Sequence, residues 1–326
     1  MSQLTLVQAV QDALRCALDA DNRVILLGED VGRNGGVFRA TEGLQERFGA
    51  DRVVDTPLSE SGILGASVGL AANGMRPVPE IQFLGFIYPG FQQVVAHIAR
   101  MRWRSQGHYG LPMVVRAPFG GRIRAPELHS ESTEAYFIHT PGLTVVAPSN
   151  PYDAKGLLLA SIEFPDPVIF LEPMRIYRAF RTEVPEAYYT VPLGKAELVK
   201  VGEDVTVVTW GTLVRETLEV VHQLERDKGW SIELLDLRTL SPWDEEAVFN
   251  SVHKTGRVVV VQEATLQLGL AAEIAARVGE ECLLDLEAPV TRVASWDVPP
   301  PLFQLEDWHA PTAQRIVNGI ERVMIY

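Results

Sequence analysis

Leu6, Val10, Leu14 and Leu18 recur at helical spacing among Asp12, Arg15 and Asp19, so the opening segment predicts an amphipathic helix. Short apolar runs then alternate with helical patterns. "RVILLGEDVG" predicts a strand that ends in a glycine-rich loop, and "MRPVPEIQF" a second strand with a polar end. "GFQQVVAHIARMRWRSQG" predicts one helix with Val94, Val95, Ile98 and Met101 on one face. "LPMVVRAPFGG" reads as a strand running into a glycine loop, "LTVVAPSNPYDAKGLLLASIEF" as strand, loop and helix, and "PVIFLEP" as a further strand. Between about 182 and 203 the pattern lapses, punctuated by Pro185 and Pro192. It then resumes more regularly. "DVTVVTWG", "SIELLDL" and "RVVVVQE" are strands, separated by "TLVRETLEVVHQLERDKG", closed by Gly229, and by "SPWDEEAVFNSVHKTG". In that last segment Pro242 is expected in the first helical turn and Gly256 at the end; "LGLAAEIAARVGEE" is the next helix. Valine-rich strands without alternation, interleaved with helices, predict an α/β fold with parallel sheet covered on both faces. The expected division is 1–185, a linker at 186–202, and 203–326.

"DTPLSESGILGASVGLAANG", residues 55–74, departs from this regularity. Ser59 is a good N-cap and Gly74 is placed to end the helix. Each interior glycine costs about 1 kcal/mol against alanine. Such a helix is expected to be held by close packing along its small residues. Glu60 stands in its first turn, where a carboxylate complements the helix dipole or serves a site; the pattern leaves both readings open. Gln82 at the end of "EIQF", Phe86 just beyond it, and His129 in "PELHSES" are further candidates, with core packing or a surface loop as their plain alternatives.

A chain of 326 residues suits two domains, and its net charge of -13 argues against nucleic acid or an anionic membrane as the main partner. Cys16 and Cys282 lie far apart with no paired spacing, which argues against a disulfide framework or a zinc site and for a reducing compartment. No apolar run approaches the ~20 residues of a membrane span, and the charged N-terminal pattern is not that of a signal peptide. There is no P-loop, no GxGxxG and no HExxH. "GEDVGRNGG" follows a strand and is either a phosphate cradle or a turn.

Taken in order, "ILLGEDVG" (25–32), "DTPLSESGILGASVGLAANGMRPVPEIQF" (55–83), "MRWRSQG" (101–107), "APFGG…PELHSES" (117–132), "PGLTVVAPSNPYDAKGLL" (141–158) and "DLRTLSPWD" (236–244) resemble the beta subunits of thiamine-diphosphate-dependent 2-oxo acid dehydrogenases. The resemblance runs from about residue 4 to the C-terminus. "EIQFLGF", "APFGG" and "PELHS" resemble the bacterial pyruvate branch, with the branched-chain branch close by. It implies a transketolase-like architecture, a pyrimidine-binding domain followed by a transketolase C-terminal domain. It also implies that Glu60 hydrogen-bonds the pyrimidine of thiamine diphosphate at the ring nitrogen opposite the exocyclic amine. Leu58 matches an apolar contact to that ring and Gln82 a residue beside it. Phe86 falls where branched-chain relatives place a tyrosine, so any role here is stacking. His129 matches the histidine associated with acyl transfer to lipoamide. Met113, Ser161, Ile162, Phe164 and Asp166 match a structural potassium site of some relatives, with Asp166 where asparagine is found.

Neither GDG nor NN occurs, so the segment that anchors magnesium and diphosphate in such enzymes is missing. The resemblance therefore implies a separate alpha subunit carrying magnesium, an α2β2 heterotetramer, and a lipoyl-bearing acyltransferase core as partner, in the bacterial cytoplasm or, in a eukaryote, the mitochondrial matrix. Two rivals are a transketolase-type synthase, disfavoured by the missing motif, and a non-catalytic assembly subunit, disfavoured by Glu60 and His129.

Overall fold

Leu6, Val10, Leu14 and Leu18 all face inward on the helix Leu6–Ala20, which opens with a capping box between Thr5 and Gln8. The computed structural model describes residues 1–326 and divides into two units, Met1–Phe119 with Tyr136–Leu193, and Gly120–Ala135 with Gly194–Tyr326.

In the first unit, β1 (Ser2–Leu4) pairs antiparallel with β8 (Thr182–Val184). The main sheet holds β2 (Val24–Gly28), β3 (Val53–Asp55), β4 (Arg76–Glu80), β5 (Val114–Phe119), β6 (Thr144–Val146) and β7 (Val168–Pro173). Within this unit the strand order is β6-β7-β5-β4-β2-β3, with parallel pairing. Helix Leu6–Ala20 packs against helix Pro151–Glu163. Lys155 is fully buried at that contact because its ammonium meets Asp12 at 2.6 Å and the Pro185 carbonyl at 2.6 Å.

The second unit carries β9 (Glu197–Lys200), β10 (Val205–Thr209), β11 (Ile232–Asp236), β12 (Thr239–Ser241), β13 (Val258–Thr265) and β14 (Thr291–Ser295). Its sheet order is β14-β13-β10-β11-β9, parallel except for the antiparallel edge β9. Val205, Val207, Val259 and Val261 form its centre with Val221, Leu224, Ile316 and Ile320 from helices Leu213–Lys228 and Ala313–Met324. No helix in the chain is long and apolar enough to cross a membrane.

Several expectations change. The single helix expected over 90–107 is three short pieces, with a π-helical turn at Val94–Ile98 between Phe91–Gln93 and Met101–Arg104. Pro242 precedes its helix; Asp244 is the cap, accepting from the Ala247 amide at 3.3 Å, and the helix is Glu245–Thr255. The interval read as irregular contains β8 and β9. Helix Glu60–Ala72 buries Ile63, Leu64, Ser67 and Ala71, whereas Gly62, Ala66 and Gly69 are exposed. The expected burial along its small residues therefore holds for Ser67 and Ala71, whereas its glycines Gly62 and Gly69 and Ala66 face outward in the chain. The chain also returns once before it leaves the first unit: 120–135 is grouped with the C-terminal residues, which a linear division at a single linker does not anticipate.

Candidate active site

The chain leaves β2 for β3 on one side and then places β4 on the other, so the carboxyl ends of β2 and β4 border a topological switch point. In open parallel sheets such crevices are where ligands bind. The strands approach closely there: a Cβ on Gly28 would lie 2.8 Å from the Glu80 carbonyl. The loop after β2 is a turn rather than a phosphate cradle. Its Gly32 and Arg33 amides donate to the Asp55 carboxylate at 2.6 and 3.0 Å, and an anion already held in place leaves nothing for phosphate.

Glu60 opens the helix Glu60–Ala72, with Ser59 capping it through the Gly62 amide at 3.2 Å. The helix start is pressed against the 3-10 turn Leu84–Gly90: a Cβ on Gly90 would lie 3.1 Å from the Glu60 carbonyl carbon. That turn carries Phe86, whose ring is 5.2 Å from that of Phe83; Phe83 in turn meets Phe38 at 5.4 Å. Gln82 is half-buried just past β4, and Leu58 is 78% exposed. The structure thus brings Glu60, Gln82 and Phe86 to one edge of one sheet. A second carboxylate, not singled out from sequence, joins them: the Glu29 carboxyl is pushed up by burial and further by the negative charge of Glu60 and Asp30. Thr56 Oγ1, between β3 and Glu60, is buried with no hydrogen-bond partner.

Beneath this edge lies a network that the sequence reading missed. Arg116 on β5 donates to Glu80 on β4 at 3.0 Å and to both oxygens of Glu172 on β7 at 2.6 and 3.1 Å. Tyr177 donates to Glu172 at 2.6 Å. Burial pushes the Glu80 carboxyl up, and the two carboxylates hold the Arg116 guanidinium charged against its own desolvation. The available signal was a charge inside each of three apolar runs, "VPEIQF", "VVRAPF" and "IFLEP".

His129 belongs to the second unit. It ends the 3-10 turn Glu127–His129 and is half-buried, with its amide donating to the Pro126 carbonyl at 2.9 Å.

A family model of the transketolase pyrimidine-binding domain matches residues 2–179, and one of the transketolase C-terminal domain matches residues 194–316. The "Pyruvate dehydrogenase E1 component subunit beta" of Staphylococcus epidermidis (strain ATCC 12228) is 52% identical over 318 residues, 98% of each chain. The protein of the same name from Bacillus subtilis (strain 168) is 51% identical over 324 residues, 99% of each. The chain belongs to the pyruvate dehydrogenase E1 beta family. A solved "split gene transketolase, inactive beta4 tetramer" has a TM-score of 0.78 over 99% of both chains at 21% identity, which bears on the fold alone.

For a member of the E1 beta family, the five groups expected around potassium are informative. The Ile162 and Phe164 carbonyls accept from one Arg76 nitrogen at 2.5 and 3.5 Å, and Asp166 is paired with Arg102. The Met113 carbonyl accepts from the Val168 amide at 3.0 Å and that of Ser161 from the Phe164 amide at 3.3 Å. A potassium ion here would meet two guanidinium charges on groups that already have partners. The donor set does not fit a free cation, and no role is assigned to one. The switch-point edge, by contrast, fits an aromatic heterocycle: Glu60 can accept from a ring N–H, the unpartnered Thr56 hydroxyl can serve a polar edge, and Leu58 and Phe86 offer apolar surface. It does not fit a diphosphate, since Glu29, Asp30, Asp55 and Glu60 are all acids.

Proposed function

We propose that this E1 beta chain forms half of a thiamine-diphosphate site and, with an alpha subunit supplying magnesium and the diphosphate contacts, decarboxylates pyruvate and passes the acetyl group to lipoyl arms of an acyltransferase core. Bound thiamine diphosphate supplies the electron sink for loss of carbon dioxide. Glu60 holds the proton at the pyrimidine ring nitrogen, and Glu29 beside it makes that proton easier to retain by adding negative charge. Gln82 orients the ring edge, Leu58 and Phe86 exclude water from its face, and His129 serves proton transfer when the acyl group moves to the dithiolane. The observation that carries the reading is the position of Glu60 at the carboxyl edge of the β2–β4 crevice, beside the acids Glu29 and Asp30. An α2β2 assembly supplies what the acidic edge lacks. Pyruvate is favoured over branched-chain 2-oxo acids because relatives at about half identity over nearly the whole chain bear the pyruvate dehydrogenase name. A reducing compartment, the cytoplasm in a bacterium, suits the two free cysteines.

The test is reconstitution. Thiamine diphosphate and magnesium are titrated into the chain alone and with its alpha subunit, and decarboxylation of pyruvate and of branched-chain 2-oxo acids is followed with an artificial electron acceptor. Turnover of pyruvate only in the mixed assembly is expected. Turnover by the chain alone, or preference for a branched substrate, overturns the corresponding part of the reading.

A further inference from the structure

The second unit has a switch point of its own. From β10 the chain passes to β11 on one side and then to β13 on the other, so the carboxyl ends of β10 and β13 flank a crevice of the kind that binds ligands in such sheets. In this chain the crevice is engaged by residues 120–135, the segment that carries His129. From the end of β13, the Glu263 carboxylate accepts from the Gly121 amide, and Gly120 is packed so closely that a Cβ on it would lie 3.1 Å from Glu263 Oε1. Just after β10, the Trp210 indole N–H donates to Glu134 Oε1 at 3.3 Å. Further along, the Glu306 carboxylate, 6% exposed, accepts from the Arg124 amide with both oxygens at 3.0 and 3.1 Å. The Arg122 guanidinium pairs with Glu216 at 2.9 Å and with Asp307 at 3.2 Å. The segment is closed on itself where the Gly120 amide donates to the Glu131 carbonyl at 2.9 Å.

Its backbone is strained. Arg122 and Arg124 hold φ of 59° and 58°, the left-handed region that non-glycine residues rarely adopt. Such conformations persist only where the surroundings over-determine them, and they cluster at functional sites. Here the over-determining contacts are identifiable: one carboxylate holds the amide of Arg124, and two others hold the side chain of Arg122. At position 122 the arginine side chain adds an anchor that glycine would lack.

We infer that the C-terminal unit is the receptor for the His129 segment, and that Glu263, Glu306 and Glu216 are positioning residues for acyl transfer. The inference rests on the reading of His129 as the acyl-transfer residue. It gives the C-terminal unit a part in the reaction cycle: its carboxylates fix where the histidine is presented, and Glu134 with Trp210 fixes the far end of the strap.

The test uses the assembled holoenzyme with a lipoyl domain as acceptor. Glu306→Ala removes both acceptors of the Arg124 amide, while Glu306→Gln keeps one; Glu263→Ala and Glu263→Gln form a second pair. Three quantities are read: hydrogen exchange over 120–135, reductive acylation of the lipoyl domain, and decarboxylation with an artificial acceptor. For the alanine variants, exchange in the strap should rise, with the rest of the unit unchanged. Acylation kcat should fall by about 10²-fold, the scale for a misplaced group, with little change in KM for the lipoyl domain. Decarboxylation should stay within about twofold, and the glutamine variants should recover part of the loss. Unchanged exchange in the strap overturns the anchoring. Loosened exchange with acylation intact overturns the positioning role, as does an equal fall of both activities. His129→Ala, assayed beside them, separates the two claims: if it leaves acylation intact, the reading of His129 fails, whatever the strap does.

Discussion

Replacing Arg116 with methionine should damage the first unit far more than the loss of one side chain suggests. The guanidinium, 2% exposed, sits between Glu80 and Glu172, which are 5% and 0% exposed. At the effective dielectric of about 20 that suits such sites, each close pair carries Coulomb attraction on the order of 4 kcal/mol, most of it offset by desolvation. Removing the cation deletes the attraction and leaves the desolvation cost, with two carboxylates facing each other and Tyr177. Breaking a buried pair in this way costs about 3–5 kcal/mol. At about 2–4 °C per kcal/mol for a cooperative unit of this size, the melting temperature should drop by roughly 6–20 °C near pH 7.5. The pH dependence carries a sign. The folded-state pKa of Glu80 is raised by burial, and loss of Arg116 removes the charge that pulls it down. Its protonated form therefore stabilises the fold at low pH, and that stability is lost as pH rises through the folded value. The deficit should shrink from pH 7.5 to pH 5.5. Calorimetry or circular dichroism of the purified chain at the two pH values checks this, with Arg116→Met/Glu80→Gln/Glu172→Gln expected to recover most of the loss. A single variant that melts like the wild type at both pH values would refute the view that the guanidinium compensates two buried charges.

Glu60→Gln in the assembled enzyme should slow exchange of the thiazolium proton by at least about 10²-fold, the low end for a lost acid–base group, with assembly intact; exchange at the wild-type rate would leave Glu60 as a dipole partner only. Glu134 is buried with its carboxyl pushed up to about 7, first by burial and then by Glu263, against backbone and Trp210 hydrogen bonds that pull it down. Its folded pKa lies above the unfolded value, so it contributes stability that is present at low pH and lost as pH rises through about 7. Glu134→Gln keeps an acceptor for Trp210 and should match the wild type at pH 5 yet exceed it at pH 8 by up to about 3 kcal/mol in urea titrations. Exchanging potassium for sodium at constant ionic strength should leave the melting temperature unchanged, because Arg76, Arg102 and two backbone amides already engage the ligand groups; a potassium-specific stabilisation would contradict that.

Much of this protein was legible as a string. Helical spacing at Leu6, Val10, Leu14 and Leu18, the caps at Ser59, Gly229 and Gly256, and the unbroken valine strands are local signals, because apolar periodicity and backbone preference act within a few residues. The ordered motifs around Glu60 and His129 carried the family as well. Tertiary structure alone decided which of those residues share an edge. Gln82 and Glu60 share the carboxyl edge at the β2–β4 switch because β4 is placed across β2 from β3, a matter of strand order that no window of sequence contains. The Arg116–Glu80–Glu172 network depends on three strands in register, so each charge looked anomalous until its partners arrived across the sheet. The grouping of 120–135 with the C-terminal unit is of the same kind: its anchors, Glu216, Glu263 and Glu306, lie far down the chain, and only folding brings carboxylates of that separation to the amides and guanidinium they hold.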